Sequence, residues 1–105
     1  MRLSIRVSVL LAAVLTAGPS VAVAAGDPVA GKALAENWCK SCHLVGPEQT
    51  SAVTEAPPFA TIAAHYQNQI EALAAFLADP HPPMPNLSLT RQEIQDLLAY
   101  IASLK

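Results

Sequence analysis

The sequence predicts an all-α domain of three to four short helices, and three observations predict it. Apolar residues in the second half of the chain recur at helical spacing, and no run of β-branched residues alternates as a half-buried strand would. Thr90 and Glu93 form a capping box in front of the strongest of these stretches. Cys39-Lys40-Ser41-Cys42-His43 brings two thiols and an imidazole together in one short segment, a chemical anchor around which helices can gather.

The first residues read differently from the rest. Arg2 and Arg6 form a basic start, Val7 to Leu15 is almost wholly apolar, and Ala22-Val23-Ala24 supplies the small side chains that signal peptidase accepts. Residues 1–24 are therefore expected to be a secretory signal peptide, cleaved after Ala24 or, using Val23-Ala24-Ala25, after Ala25. The apolar run falls short of the roughly 20 residues that span a hydrocarbon core, so the cleaved chain is not expected to cross a membrane. Cleavage leaves one small domain, residues 25–105, in the periplasm. A domain of that size buries too little apolar surface to be secure alone, and a covalent or metal staple is expected.

With Arg2 and Arg6 removed, four basic residues face eight acidic ones, a formal charge of −4. Phosphate contacts need Lys and Arg, so nucleic acid is not an expected partner. Glu36, Glu48, Glu55, Glu71, Asp79, Glu93 and Asp96 fall on expected solvent faces or loops. No pair among them is placed for hydrolysis, and they read as solubilising.

The first helix opens at Asp27-Pro28, an N-cap followed by a proline whose missing N–H costs nothing there, and runs to about Trp38. Val29, Ala33 and Leu34 are its expected inner face. Gly31 removes a side chain where another backbone can approach.

The anchor follows at once. Two cysteines separated by two residues and followed by histidine can bond the vinyl groups of haem and place the imidazole under the iron, which is c-type haem attachment. A structural disulfide across so short a loop would constrain the unfolded chain very little. A redox-active thiol pair would want a βαβ setting, which is missing here. The expected cofactor is therefore one covalent haem c, attached at Cys39 and Cys42, with His43 as proximal iron ligand. That haem is the staple the short chain needs.

Leu44-Val45-Gly46-Pro47 then reverses the chain, and Glu48 to Glu55 reads as a polar surface loop. Ala56-Pro57-Pro58-Phe59 is too proline-rich for a helix. The carbonyl of Pro57, with Pro47 as the second choice, would accept from the free ring nitrogen of His43, fix its tautomer and strengthen it as a donor to iron. Phe59 is either plain core or a porphyrin contact. Thr61 to Tyr66 is expected to form a short helical turn. Gln69 to Leu77 is a firmer helix, with Ile70, Leu73, Ala74 and Leu77 on one face, ended by Asp79-Pro80.

His81-Pro82-Pro83-Met84-Pro85 surrounds one thioether with three prolines, so the loop can present the sulfur at little entropic cost. Met84 is the expected distal ligand, with His81 and then His65 as alternatives. The last helix begins at the Thr90 cap and carries Ile94, Leu97, Leu98, Ile101 and Leu104 on one face, with Tyr100 beside it.

Taken together, these residues resemble the class I c-type cytochromes, over the whole of the chain after the signal. The marks are the haem signature from Cys39 to His43, Gly31 before it, Pro57 after it, Met84 between prolines and Tyr100 in a closing helix. The resemblance implies a cytochrome c-like fold of three to four helices packed around one covalently attached haem. It also implies that the first and last helices cross at Gly31 and near Tyr100, with one haem edge at the surface. Two features depart from the family. Ala35 stands where an aromatic residue is common, so that Trp38 or Tyr100 is expected to fill the gap. The lysine-rich face of some members is missing, with only Lys40 near the motif.

Ligation by His43 and Met84 would close the iron to substrate, which suits a one-electron carrier rather than an enzyme, and methionine would raise the potential relative to a second histidine. The expected partners are a redox donor and a redox acceptor, met by a monomer. The alternatives are a haem-bearing subunit docked on a dehydrogenase or oxidase, and a five-coordinate haem sensor or enzyme in which Met84 is unbound.

Overall fold

In the computed structural model, which describes residues 13–19 and 25–104, Asp27 and Pro28 begin the first helix, α1 (Pro28–Trp38). Most of the expected signal peptide lies outside the described residues. The Asp27 carboxylate accepts the free Val29 N–H at 2.9 Å, as an N-cap should. Three more helices follow: α2 (Phe59–His65), α3 (Ala72–Ala78) and α4 (Arg91–Ala102). Among the described residues there is no strand, so the all-α expectation holds. The core lies along α4, which α1 crosses over its length and against which α2 and α3 also pack.

The inner face of α1 differs from the expected one. Val29 is 77% exposed and Ala33 is also exposed, whereas Gly31 and Ala35 are buried and Leu34 is half-buried. The reason is the crossing itself. A Cβ placed on Gly31 would lie 2.5 Å from the carbonyl carbon of Asp96 and 2.8 Å from the Tyr100 Cβ, so the α4 backbone sits where a side chain would be. Gly31 and Ala35 form one i, i+4 row at this approach. Val29 and Ala33 form another, two residues and roughly 200° around the helix, which turns them to solvent.

Asp96 corrects a second expectation. It is buried rather than on a solvent face, and its Oδ1 accepts the Asp27 N–H at 2.8 Å and the Gln92 Nε2–H at 2.9 Å. The carboxylate thus ties the start of α1 to the middle of α4, and burial is tolerated because donors meet it.

α2 begins two residues before the expected turn. Pro58 caps it, its carbonyl accepting from Thr61 and Ile62, and a proline at a helix start gives up no hydrogen bond that the helix needs. α3 begins three residues later than expected. Gln69, Ile70 and Glu71 instead wind a tighter turn, with Ala72, Leu73 and Ala74 each donating to the residue three before it. Leu73 is buried, and Ile70, Ala74 and Leu77 pack against the core as expected.

α4 follows the sequence reading closely. Thr90 Oγ1 accepts the Glu93 N–H at 3.1 Å and Glu93 Oε2 accepts the Thr90 N–H at 2.7 Å, closing the capping box. Ile94, Leu97, Leu98 and Ile101 are buried and Leu104 is partly so. Tyr100, expected beside this face, is buried within it. Its hydroxyl donates to the Val45 carbonyl at 2.5 Å, and its ring centroid lies 6.4 Å from that of Phe59. Of the two aromatic residues expected near Ala35, Tyr100 shares its core, whereas Trp38 is 61% exposed and does not.

Removing the Tyr100 hydroxyl should therefore matter. Tyr100→Phe leaves the buried Val45 carbonyl without its donor and is expected to cost about 1–3 kcal/mol in urea unfolding. Burial first, then the charges of Glu36 and Glu48, push the Tyr100 pKa above its ordinary value of 10.0. The unfolded chain then loses the phenolic proton before the folded one does, so this contribution is intact below pH 10 and is lost as pH rises through the folded value. The variant should show a flatter alkaline stability profile than the parent.

Candidate functional site

The site starts where α1 stops. Cys39 is the C-cap of α1, its N–H donating to Ala35 O at 2.9 Å, and Lys40 shares that carbonyl at 3.1 Å. The N–H groups of Cys42 and His43 both return to Cys39 O, at 3.1 and 2.9 Å, so the five-residue segment is wound into one compact turn. Both thiols are unpaired and half-buried. Burial, and then the Cys42 charge, push the Cys39 thiol up to about 11. A redox dithiol needs a thiolate available near neutrality, and this environment disfavours one.

His43 is held from the far side of the loop. Its Nδ1 lies 2.6 Å from the Pro57 carbonyl, the first of the two prolines expected there, while Pro47 makes no such bond. A carbonyl only accepts, so Nδ1 carries the ring proton and Nε2 keeps a lone pair for a metal. The ring leans on Phe59, with centroids 5.4 Å apart and planes at 58°.

His43 and Cys39 open onto an apolar cleft. Its other walls are Phe59, Ile62, Leu73, Phe76, Leu77, Met84, Leu97 and Ile101. The cleft thus brings together Cys39, His43 and Met84, with Cys42 on the adjoining turn. Phe59 serves in both of its expected roles, as buried core and as cleft wall. Met84 reaches the cleft from a turn in which its N–H donates to His81 O at 3.0 Å. His65 and His81 do not line the cleft. The first is exposed and edge-on to Tyr66, and the second is exposed and edge-on to Phe76.

Two kinds of residue were missed. Ile62 and Phe76 are cleft walls, and Phe76 stands three positions after Leu73, a helical spacing that could have placed it on the same face. Gln49 stands near the start of the expected surface loop, and nothing in its local sequence marks it. The donor set fits an iron porphyrin: an imidazole nitrogen and a soft thioether share one apolar cleft, with two unpaired thiols beside it.

Comparison with known proteins matches residues 28–105 to the family described as Cytochrome c. The chain belongs to that family. It is also 44% identical over 89 residues to cytochrome c-552 of Bradyrhizobium diazoefficiens, a match covering 85% of this chain and 86% of the relative. No solved structure matches it. This cytochrome therefore carries covalently attached haem c, and Cys39, Cys42 and His43 fit the family's attachment motif. It is a small class I c-type cytochrome, an electron-transfer protein rather than an enzyme, and it exchanges electrons with redox partners. Among the described residues, no helix of the cytochrome is long and apolar enough to cross a membrane.

Proposed function

We infer that Cys39 and Cys42 hold the haem, that His43 and Met84 are its two axial ligands, and that the protein relays single electrons between exported redox partners. The observation that carries this reading is the shared cleft: Cys39, His43 and the proline-flanked Met84 line one apolar space, with Cys42 on the adjoining turn. When bound, haem supplies an iron that gains and loses one electron. The protein's own residues do the rest. The Pro57 carbonyl holds the His43 ring proton, which orients the imidazole and makes Nε2 a stronger donor. Met84 brings a soft sulfur that favours the reduced state, and the aliphatic and aromatic walls keep water out. With both residues bound, no position is left for substrate.

The chain is exported, cleaved after Ala24 or Ala25, and works in the periplasm as a monomer of residues 25–105. Support for export comes from the basic, apolar and small-residue pattern of its first 24 residues.

The test is a spectrum. Purified from cells able to mature such proteins, the polypeptide should be coloured and low-spin, with a sulfur-to-iron charge-transfer band when oxidised. A colourless yet folded protein would overturn the whole reading, and a coloured one without that band would overturn the methionine.

A further inference from the structure

Glu48 to Glu55 reads as a polar surface loop and Ala56 to Phe59 as a proline-rich connection, yet the stretch is tied back to the attachment turn by a run of hydrogen bonds. Val53 N–H donates to Ser41 O at 2.8 Å, Thr54 Oγ1 to Cys42 O at 3.0 Å, and Phe59 N–H to Leu44 O at 2.9 Å. One side chain lies at the centre of this stitching. Gln49 Oε1 accepts the Val45 N–H at 3.0 Å, while its Nε2 donates to the carbonyls of Lys40 at 2.6 Å, His43 at 2.9 Å and Ser51 at 3.0 Å. The amide's two donor hydrogens are shared among three carbonyls, and its oxygen accepts one main-chain N–H.

Every group it touches is main chain, and those groups lie on both sides of His43. The imidazole is aimed by two things: its Nδ1–H bond to Pro57 O and the backbone from which it hangs. Pro57 fixes the first. We propose that Gln49 is a positioning residue for His43, an amide clamp that fixes the second by holding the backbone of Lys40, His43 and Val45 in one arrangement whether or not iron is bound. This rests on the reading of His43 as the haem ligand. Gln49 touches no reacting atom and acts only through the backbone. The loop thus supplies both bonds that aim the imidazole, Pro57 to the ring and Gln49 to the main chain.

The experiment compares reduced holoprotein as the parent, Gln49→Ala, Gln49→Glu and Asp96→Asn, the last weakened at the distant α1–α4 crossing. Hydrogen exchange is followed at the His43 ring Nδ1–H, at the Val45 and Val53 amides, and at the α4 amides of Leu98 and Ile101. Gln49→Ala should speed the first three by about tenfold or more relative to the α4 amides, because it opens the loop locally while the core stays shut. Gln49→Glu keeps an acceptor for Val45 but has no donor, so it should free His43 and Val53 while sparing Val45. Asp96→Asn should speed all sites together. Either Gln49 variant should also shift the reduction potential, which Asp96→Asn should leave unchanged.

If neither Gln49 variant acquires haem while Asp96→Asn does, the clamp is supported; equal loss in all three overturns it. With haem bound, uniform acceleration or parental exchange at His43 overturns the clamp alone. An unchanged low-spin spectrum in His43→Ala would instead overturn the underlying assignment of the ligand.

Discussion

Replacing Met84 with alanine is expected to turn a closed iron into one that binds carbon monoxide. The alanine methyl cannot reach where the thioether does, and neither of the other two histidines lines the cleft: His65 packs edge-on to Tyr66, and His81 packs edge-on to Phe76. The walls that remain, Ile62, Leu73, Phe76 and Leu77 among them, offer no replacement donor. The oxidised variant should lose its sulfur-to-iron band, its potential should fall, and the reduced form should take up carbon monoxide stoichiometrically where the parent takes none. His81→Ala and His65→Ala should keep the band. Unchanged spectra in Met84→Ala would remove that residue from the iron.

Gly31→Val should be the most damaging change away from the cleft. Its Cβ would meet the Asp96 backbone carbonyl, and main chain in mid-helix cannot rotate aside as a side chain can. α1 must then lift from α4, loosening the Asp27–Asp96 bond and the packing against Tyr100. Overpacking typically costs about 1–3 kcal/mol, and a clash with backbone belongs at or above the top of that range. Against a total stability of about 5–15 kcal/mol, the loss is large. Gly31→Ala is the milder version: it recovers about 1 kcal/mol of helix propensity yet should still lower the urea midpoint of the holoprotein. A midpoint equal to or above the parent's would show that the helices can part without cost.

Much of this was legible where the chemistry is local. The Thr90–Glu93 box, the apolar face of α4, the Asp27 cap and the spacing of Cys39, Cys42 and His43 each depend on residues a few positions apart. Pro57 could be chosen because an expected histidine ligand needs an acceptor and the proline-rich stretch after the motif offers one, although the two residues stand 14 positions apart. What escaped depends on distant partners. α1 is rich in alanine, so several of its faces have similar hydrophobicity, and only the approach of α4 selects Gly31 and Ala35 over Val29 and Ala33. Asp96 resembles any helix-surface carboxylate until the Asp27 amide reaches it from 69 positions away. Pro58 argued against a helix in its own stretch, yet it begins α2. Gln49 has four backbone partners that no periodicity encodes.

The crossing of α1 and α4 also dictates when this molecule can become itself. α1 has to wait for α4, because the surface it covers is not made until Arg91–Ala102 is present. The crossing joins Asp27 to Asp96, 69 positions away, and before it forms the thiols and imidazole lack part of the cleft that surrounds them. A polypeptide stopped short of Arg91 would hold every atom of the attachment turn and lack the wall that Leu97 and Ile101 give the cleft.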